Sequence, residues 1–600
     1  MILSALLTFF LLGVVAGEWS QFDDRDLIHY RTLPNHRVVK WNISYHDKSQ
    51  VAPGYWFTAP YWSLSENSET KQFIPYQVGP HIFDQDGVLI WAGAVESNNH
   101  QAHDFRVIDF STREDLPPVP HLSWILMAGP GEPDSTGRSV VYNNQYTLTR
   151  ELSVATDAVD THEFYVKNSP KAMLIISSKA RVKLSELGME EASDVASNGF
   201  AEVDLNTGEE TFRWMSTGKI TLDESYVMTP ERFIESDYLH MNSVDKNENG
   251  DFLISARHTS AIYLISGPDF TFCGQHDARF LSITPDAANP TSMVISFLDN
   301  GAILTGPWGT IGDEPTSSGM IVELDLVAMK ATLLKRFMRP DGGSTDRRGN
   351  MQSLPNGNKL LCWSYGGYVT EFDADGNIVM EASYASDRFD SYRTYKLPWV
   401  GRPSYPPTVV AELYGTKDRD PSTLFHVSWN GATDIAYWRF YARNSSASTR
   451  REIGLVPKSG FETTFLVHGH TDWVSVEALD SDYQVLGRSP DSRPQSPDLR
   501  LSDAVSPGMS NETSADGGYV LTPVSGDADG PRDYFFETSA VHIVQRGGFI
   551  APFILGIAFS AGLFALLKWR RPIVKYCTSA YNWMTWTGYT MIWQDERGGF

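Results

Sequence analysis

Cysteine is scarce in this 600-residue chain, which contains only Cys273, Cys362 and Cys577. Cys577 follows an apolar run long enough to cross a membrane, so at most one internal disulfide can form on the side of the main body, and disulfides do not organise the fold. Positive charge is also in short supply. Lys and Arg number 49 against 73 Asp and Glu, giving a net charge of -24 and a pI near 5.0. With no basic cluster in the main body, that balance repels nucleic acid and excludes it as a partner. The H-E-x-x-H spacing of zinc hydrolases is missing, and nothing in the composition calls for a cofactor. Apolar material is plentiful: 42% of residues are hydrophobic and 12% aromatic. That suffices for a large core, and at about 100–200 residues per domain the length predicts two or more domains.

The two ends predict a topology. Residues 1–17 read as a cleaved secretory signal, with an apolar stretch closing in Ala16-Gly17 but no basic residue before it. Phe549 to Leu567 carries no charge, and at 1.5 Å per residue it spans about 28 Å, close to the hydrocarbon thickness of a bilayer. Lys568, Arg570, Arg571 and Lys575 follow at once. A basic flank stays cytoplasmic, so the reading is a single-pass membrane protein with its bulk lumenal or extracellular and residues 568–600 as a cytoplasmic tail. Asn42, Asn444 and Asn511 open N-x-S/T sequons on the side where glycosylation occurs. Cys577 is a weak acylation candidate.

Between the ends the chain alternates strands and turns. Segments such as 81–94, 162–177, 240–255 and 349–363 each place an opening strand, a Gly or Asn-Gly turn and an apolar answering strand in succession, and further copies start at His121 and His276. About six irregular repeats of this kind predict an all-β, six-bladed β-propeller over 18–403, with the opening strands innermost and lining a channel. A β-sandwich or solenoid is the competing architecture. Residues 404–488 predict a second sandwich, fibronectin III-like, in which Trp429 and Trp438 serve packing. Residues 489–548, rich in Ser, Pro, Asp and Gly, read as a disordered linker to the membrane.

The stretch from His240 to Phe280 concentrates the chemistry: His240, Asn242, Arg257, His258 and His276 lie in one β-rich segment. Strand alternation puts His240 and Asn242 on one face and points Arg257 and His258 opposite ways. Neutral imidazoles attack or shuttle protons and a guanidinium fork grips a tetrahedral oxyanion, so the set suits transfer of an anionic group. Each histidine taken singly fits a packed core position equally well. Asp245 to Asp251 resembles the start of a calcium loop, but its twelfth position is Ala256 where a bidentate Glu is required, so a polar turn is the expectation.

The segments HMNSVDKNENGDFLISARHTSAIYLI, QHDARF, SFLDNG, SLPNGNKLLCW and SWNGATDIAYWRFYA, in this order, resemble the arylsulfotransferase (aryl-sulfate sulfotransferase, ASST) family, in its fungal, membrane-tethered branch. The resemblance spans roughly residues 70–490. It implies a propeller that moves a sulfuryl group from an aryl sulfate donor to a phenolic acceptor, without a nucleotide or other cofactor, through a sulfohistidine. Matched motif to motif, it implies His276 as nucleophile, with His240, Asn242, Arg257 and His162 at the other active-site positions. A non-catalytic receptor or scaffold built on the same propeller is the alternative class.

Overall fold

The computed structural model describes residues 26–496 and 518–519, apart from 63–75, 112–115, 128–136, 153–157, 168–169, 191, 230–231, 234–236, 266–269, 272–273, 283–291, 302–303, 307–308, 312–315 and 417–418. The proposed signal segment, membrane span and tail, together with Asn511, Cys273 and Cys577, lie outside the described residues. Among the described residues no helix is long and apolar enough to cross a membrane.

The described chain is all-β. Six antiparallel sheets succeed one another, and their leading strands are Ala102–Phe110, Ala158–Val166, Met241–Lys246, His276–Ser282, Asn350–Ser353 and Phe389–Leu397. Each sheet continues outward by hairpins, which is what alternating apolar runs punctuated by Gly and Asn turns produce. The Asn247–Asp251 turn shows how: Asn247 Nδ2 donates to Asp251 Oδ2 at 2.8 Å while Asp251 N–H returns to Asn247 Oδ1 at 2.9 Å. It is the polar turn expected in place of a calcium loop. The leading strands adjoin in cyclic order, with Phe389–Leu397 next to Ala102–Phe110. The last sheet pairs Phe389–Leu397 with the N-terminal strands Tyr55–Trp62, His81–Phe83 and Leu89–Ala92. Chain ends that meet in one sheet close the ring without a covalent bond, and the arrangement is consistent with a propeller.

Two of the expected repeat copies are out of phase with this architecture. Residues 81–94 form the outer strands of the last sheet, and His121 sits on Val119–Met127, the second strand of the first sheet. A strand–glycine–strand pattern looks the same whichever two neighbouring strands it joins, so the hairpins were legible but their position within the sheet was not.

The leading strands are held together by buried charge. Arg393 Nη1 donates to Asp104 Oδ1 at 2.9 Å and to Glu163 Oε1 at 3.2 Å, and its Nη2 donates to the Asn242 carbonyl at 2.9 Å. Arg279 Nη2 reaches Glu163 Oε2 at 2.7 Å, and Arg106 Nη2 joins Asp104 to Glu163. Burial alone would raise the Asp104 carboxyl, but Arg106 and Arg393 hold it well below the ordinary carboxylate range. Asp104 Oδ2 also accepts the Phe164 N–H at 3.1 Å, and Asp277 Oδ2 accepts the Met351 N–H at 3.1 Å, each stitching one leading strand to the next.

Residues from Thr408 onward form two further sheets, ordered by pairing of Thr408–Thr416, Arg419–Ser428 and Thr463–His468 in one and of Arg451–Pro457, Tyr437–Arg443, Trp473–Leu479 and Val485–Arg488 in the other. Phe425, Trp438, Phe440, Phe465 and Val476 fill the space between them, with Trp429 packed against that core. Both tryptophans therefore have the packing role expected of them. Pairing continues into the segment expected to be linker, where Ser492 bridges Val474 and Gln495 bridges Glu412. The Asn430-Gly431 turn docks on the ring: Gly431 N–H donates to the Ile90 carbonyl at 2.7 Å and Tyr146 Oη to the Gly431 carbonyl at 2.7 Å.

Candidate active site

The leading strands are bulged where the site residues stand, at His103/Arg106, Val159/Phe164, Met241/Ser243 and His276/Arg279. His240 has φ of 51° and Asp277 of 58°, left-handed conformations that cost energy for non-glycine residues and here re-aim the side chains. The backbone at His240 is held in place because its N–H donates to Asn198 Oδ1 and Asp237 Oδ1, both at 3.0 Å.

His276, His240 and His162 come from three different sheets and meet. The rings of His162 and His240 are 4.8 Å apart and nearly perpendicular, and His240 lies 4.5 Å from His258. His276 is buried, and desolvation followed by the Arg257 charge pushes its imidazole well below the ordinary histidine range, with His162 and His240 adding to the effect. His240 shifts the same way through desolvation, His162 and Arg257. Both rings are neutral at neutral pH, the form that attacks or accepts a proton.

The hydrogen bonds set which nitrogen is available. His276 Nδ1 lies 2.8 Å from Asn300 Oδ1 and 3.0 Å from the Gly274 carbonyl, both acceptors, so Nδ1 carries the proton. Its Nε2 is an acceptor and receives the Arg348 backbone N–H at 3.0 Å. His240 Nδ1 donates to Asp237 Oδ2 at 2.7 Å and His162 Nδ1 to Asp160 Oδ1 at 2.5 Å, which turns the Nε2 lone pair of each outward. Asn242 is fully buried, and its Nδ2 donates to the Gln275 carbonyl at 2.8 Å, bracing the residue before His276.

Arg257 and His258 do not point opposite ways. Arg257 Nη1 donates to His258 Nε2 at 3.3 Å, because the strand ends at Ala256 and the pair sits in the following turn, where strand alternation no longer applies. Asp237, His240 and His258 bring one possible metal-ligating atom each within 4.8 Å. His240 Nδ1 is bonded to Asp237 Oδ2 and His258 Nδ1 to the Asp237 carbonyl at 2.7 Å, and the Arg257 guanidinium, bonded to His258 Nε2, repels a dication.

Sequence reasoning missed Asp237, Asn300, Arg348 and His103. A signal existed for the last: His103-Asp-Phe-Arg106 repeats His276-Asp-Ala-Arg279 at the start of another leading strand. His103 is tied down on both nitrogens, Nδ1 donating to the Thr161 carbonyl at 3.0 Å and Nε2 accepting from Gln101 Nε2 at 2.8 Å, while its ring stacks on Tyr392 at 4.3 Å. Asn300 lies inside SFLDNG, but a turn asparagine gives no sign of a partner 24 residues away.

Residues 134–385 match the model of the arylsulfotransferase (ASST) family, and this stretch contains His162, His240, Asn242, Arg257 and His276. No curated protein matches the chain. Solved structures similar to it include the GH43 protein BlXynB from Bacillus licheniformis, with 8% identity over 65% of this chain and 89% of that one and a TM-score of 0.25. A mutant form of the same Bacillus licheniformis protein scores 0.27 with the same identity and coverage. The β-fructofuranosidase from Schwanniomyces occidentalis has 8% identity, covers 66% and 83% of the two chains and scores 0.22.

Proposed function

We propose that this protein is a membrane-tethered aryl-sulfate sulfotransferase that moves a sulfuryl group between phenols through a sulfohistidine on His276. The observation that carries the reading is the buried, neutral His276, whose proton is fixed on Nδ1, whose Nε2 accepts the Arg348 N–H that must give way before attack, and whose ring feels Arg257, His162 and His240. In the first half-reaction Nε2 attacks sulfur in line, the S–O bond to the aryl group breaks, and its electron pair leaves on the phenolate. Arg257 stabilises the sulfonate oxygens as charge develops on them, and the second N–H of Asn242 Nδ2 assists. In the second half-reaction His240 Nε2 takes the acceptor phenol's proton as its oxygen attacks sulfur, the Nε2–S bond breaks, and the proton passes to the released phenolate. By analogy with phosphoryl transfer the transition state is loose, so positioning and electrostatics supply most of the rate.

The six sheets act as the blades of one propeller, the following domain is fibronectin III-like, and residues 549–567 anchor the bulk of the protein outside the cytoplasm. Asn42 and Asn444 are exposed, as glycan acceptors must be. The deciding experiment incubates the full-length protein in detergent with an aryl sulfate and maps sulfate adducts by mass spectrometry. A sulfate on His276 that chases onto an added phenol supports the reading. Absence of transfer from any aryl sulfate favours a non-catalytic receptor or scaffold.

A further inference from the structure

Asn300 closes a ring of hydrogen bonds around the imidazole of His276. The Asn300 side chain is fully buried. Its Nδ2 donates to the carbonyls of Thr345 at 2.8 Å and Arg348 at 3.1 Å. Two carbonyls can be satisfied only by the NH₂ end of the amide, so the amide cannot be turned round. Its Oδ1 must then face His276 Nδ1 at 2.8 Å, and the ring must present a proton there. The second neighbour of Nδ1, the Gly274 carbonyl, demands the same. Arg348, whose carbonyl Asn300 holds, returns its own N–H to Nε2 at 3.0 Å. The tautomer of the nucleophile is therefore set by the Gly274 carbonyl, the Arg348 N–H and, at the shortest distance, one amide whose orientation two backbone carbonyls enforce.

The partners of Nδ1 have a second property: neither an amide oxygen nor a backbone carbonyl can take a proton. Once Nε2 bonds to sulfur the ring becomes a cation, and its leaving ability depends on keeping the Nδ1 proton. A protonated ring departs as neutral imidazole. A ring stripped of that proton departs as imidazolate, a far poorer leaving group. A carboxylate at this place, such as the ones that face His240 and His162, would accept the proton and trap the intermediate.

We propose that Asn300 is a positioning residue that fixes the His276 proton on Nδ1 and keeps it there while Nε2 carries the sulfuryl group, so that the sulfo-enzyme remains able to discharge. The proposal rests on the sulfotransferase reading and adds to it the means by which the intermediate stays reactive. Atoms and charge balance: the neutral ring gains a neutral SO₃ unit from the aryl sulfate anion, the phenolate carries away the negative charge, and discharge to a phenol deprotonated by His240 returns the ring with the same proton on Nδ1.

The test follows sulfated His276 by rapid quench and mass spectrometry in the full-length protein, timing formation from nitrophenyl sulfate and discharge to a phenol separately. Asn300→Asp is expected to form the adduct within about threefold of the wild-type rate and to discharge it at least about tenfold more slowly, so that sulfo-enzyme accumulates. Asn300→Ala, which frees the ring and the Thr345–Arg348 segment but adds no base, is expected to slow formation more than discharge. Variants that slow both steps in equal proportion, or an Asp variant that discharges at the wild-type rate, overturn the proposal. Nitrogen-15 shifts of the wild-type sulfo-enzyme decide it even if the Asp variant does not fold: a protonated Nδ1 is expected, and a deprotonated one overturns it. A wild-type protein that never carries sulfate on His276 shows instead that the transfer reading has failed, and the role assigned to Asn300 falls with it.

Discussion

Asp237 Oδ2 accepts the Nδ1–H of His240 at 2.7 Å, three residues along the chain. The bond gives His240 a defined tautomer whose Nε2 can only accept, so in the resting enzyme it is poised to deprotonate a phenol and not to protonate one.

Replacing Asp237 by Asn should slow transfer to weakly acidic phenols by about 10–100-fold, because the amide can offer its NH₂ and favour the wrong tautomer. His240→Ala should keep measurable formation of the sulfo-enzyme from nitrophenyl sulfates, whose phenolates leave unaided, while discharge to poor acceptors falls much further. Comparing donors and acceptors of graded phenol pKa checks both. Equal losses across the series would point to packing in place of proton transfer.

His276→Ala should abolish transfer, since it removes the nitrogen proposed to carry the sulfuryl group. Arg257→Lys should cost about 2–4 kcal/mol of transition-state stabilisation, since an ammonium cannot replace the planar fork. Steady-state kcat/KM with one aryl sulfate measures both. An Arg257→Lys enzyme with wild-type kcat/KM would remove the guanidinium from the mechanism.

Arg393→Met removes the cation that joins Asp104, Glu163 and the Asn242 carbonyl. Arg106 and Arg279 still pair with these carboxylates, but loss of one cation from the buried network costs up to about 3–5 kcal/mol, so the melting temperature should fall by several degrees or expression should fail. Thermal unfolding of the purified variant reads this directly. Exposed pairs such as Arg181–Asp194 should be nearly silent when cut, at about 0–1 kcal/mol.

Stability should decline as pH falls from about 6.5 towards 4. Burial lowers His36 and His81 to about 4 and His258 to about 3, and pushes His103, His240 and His276 well below the ordinary value. The unfolded chain binds protons in that window and the folded chain does not, so acid pulls towards unfolding. Glu96, pushed up to about 7 by burial, and Asp84, Glu163, Glu210, Asp237 and Asp390, raised for the same reason, act in the opposite sense and blunt the slope that the histidines set. Denaturant midpoints across pH 7 to 4.5 test the slope. His36, whose two ring nitrogens lack hydrogen-bond partners, should give a flatter profile when replaced by Phe.

Composition and periodicity alone pointed to the all-β character of the described residues, to further strands after Thr408, and to Trp438 packing between sheets. Those properties are local: alternation and turn chemistry act over a few residues. The family resemblance singled out His162, His240, Asn242, Arg257 and His276, and of these the structure brings the His162 and His240 rings to 4.8 Å. Tertiary structure decided which hairpins are innermost, since ring closure pairs Tyr55–Trp62 with Phe389–Leu397 across more than 300 residues. It also decided the protonation geometry. Asn300 faces His276 because Ser292–Asp299 pairs antiparallel with His276–Ser282, and Arg348 returns to its Nε2 because the next leading strand, Asn350–Ser353, lies beside the His276 strand; hydrogen-bond partners 24 and 72 residues away leave no periodic trace in the sequence.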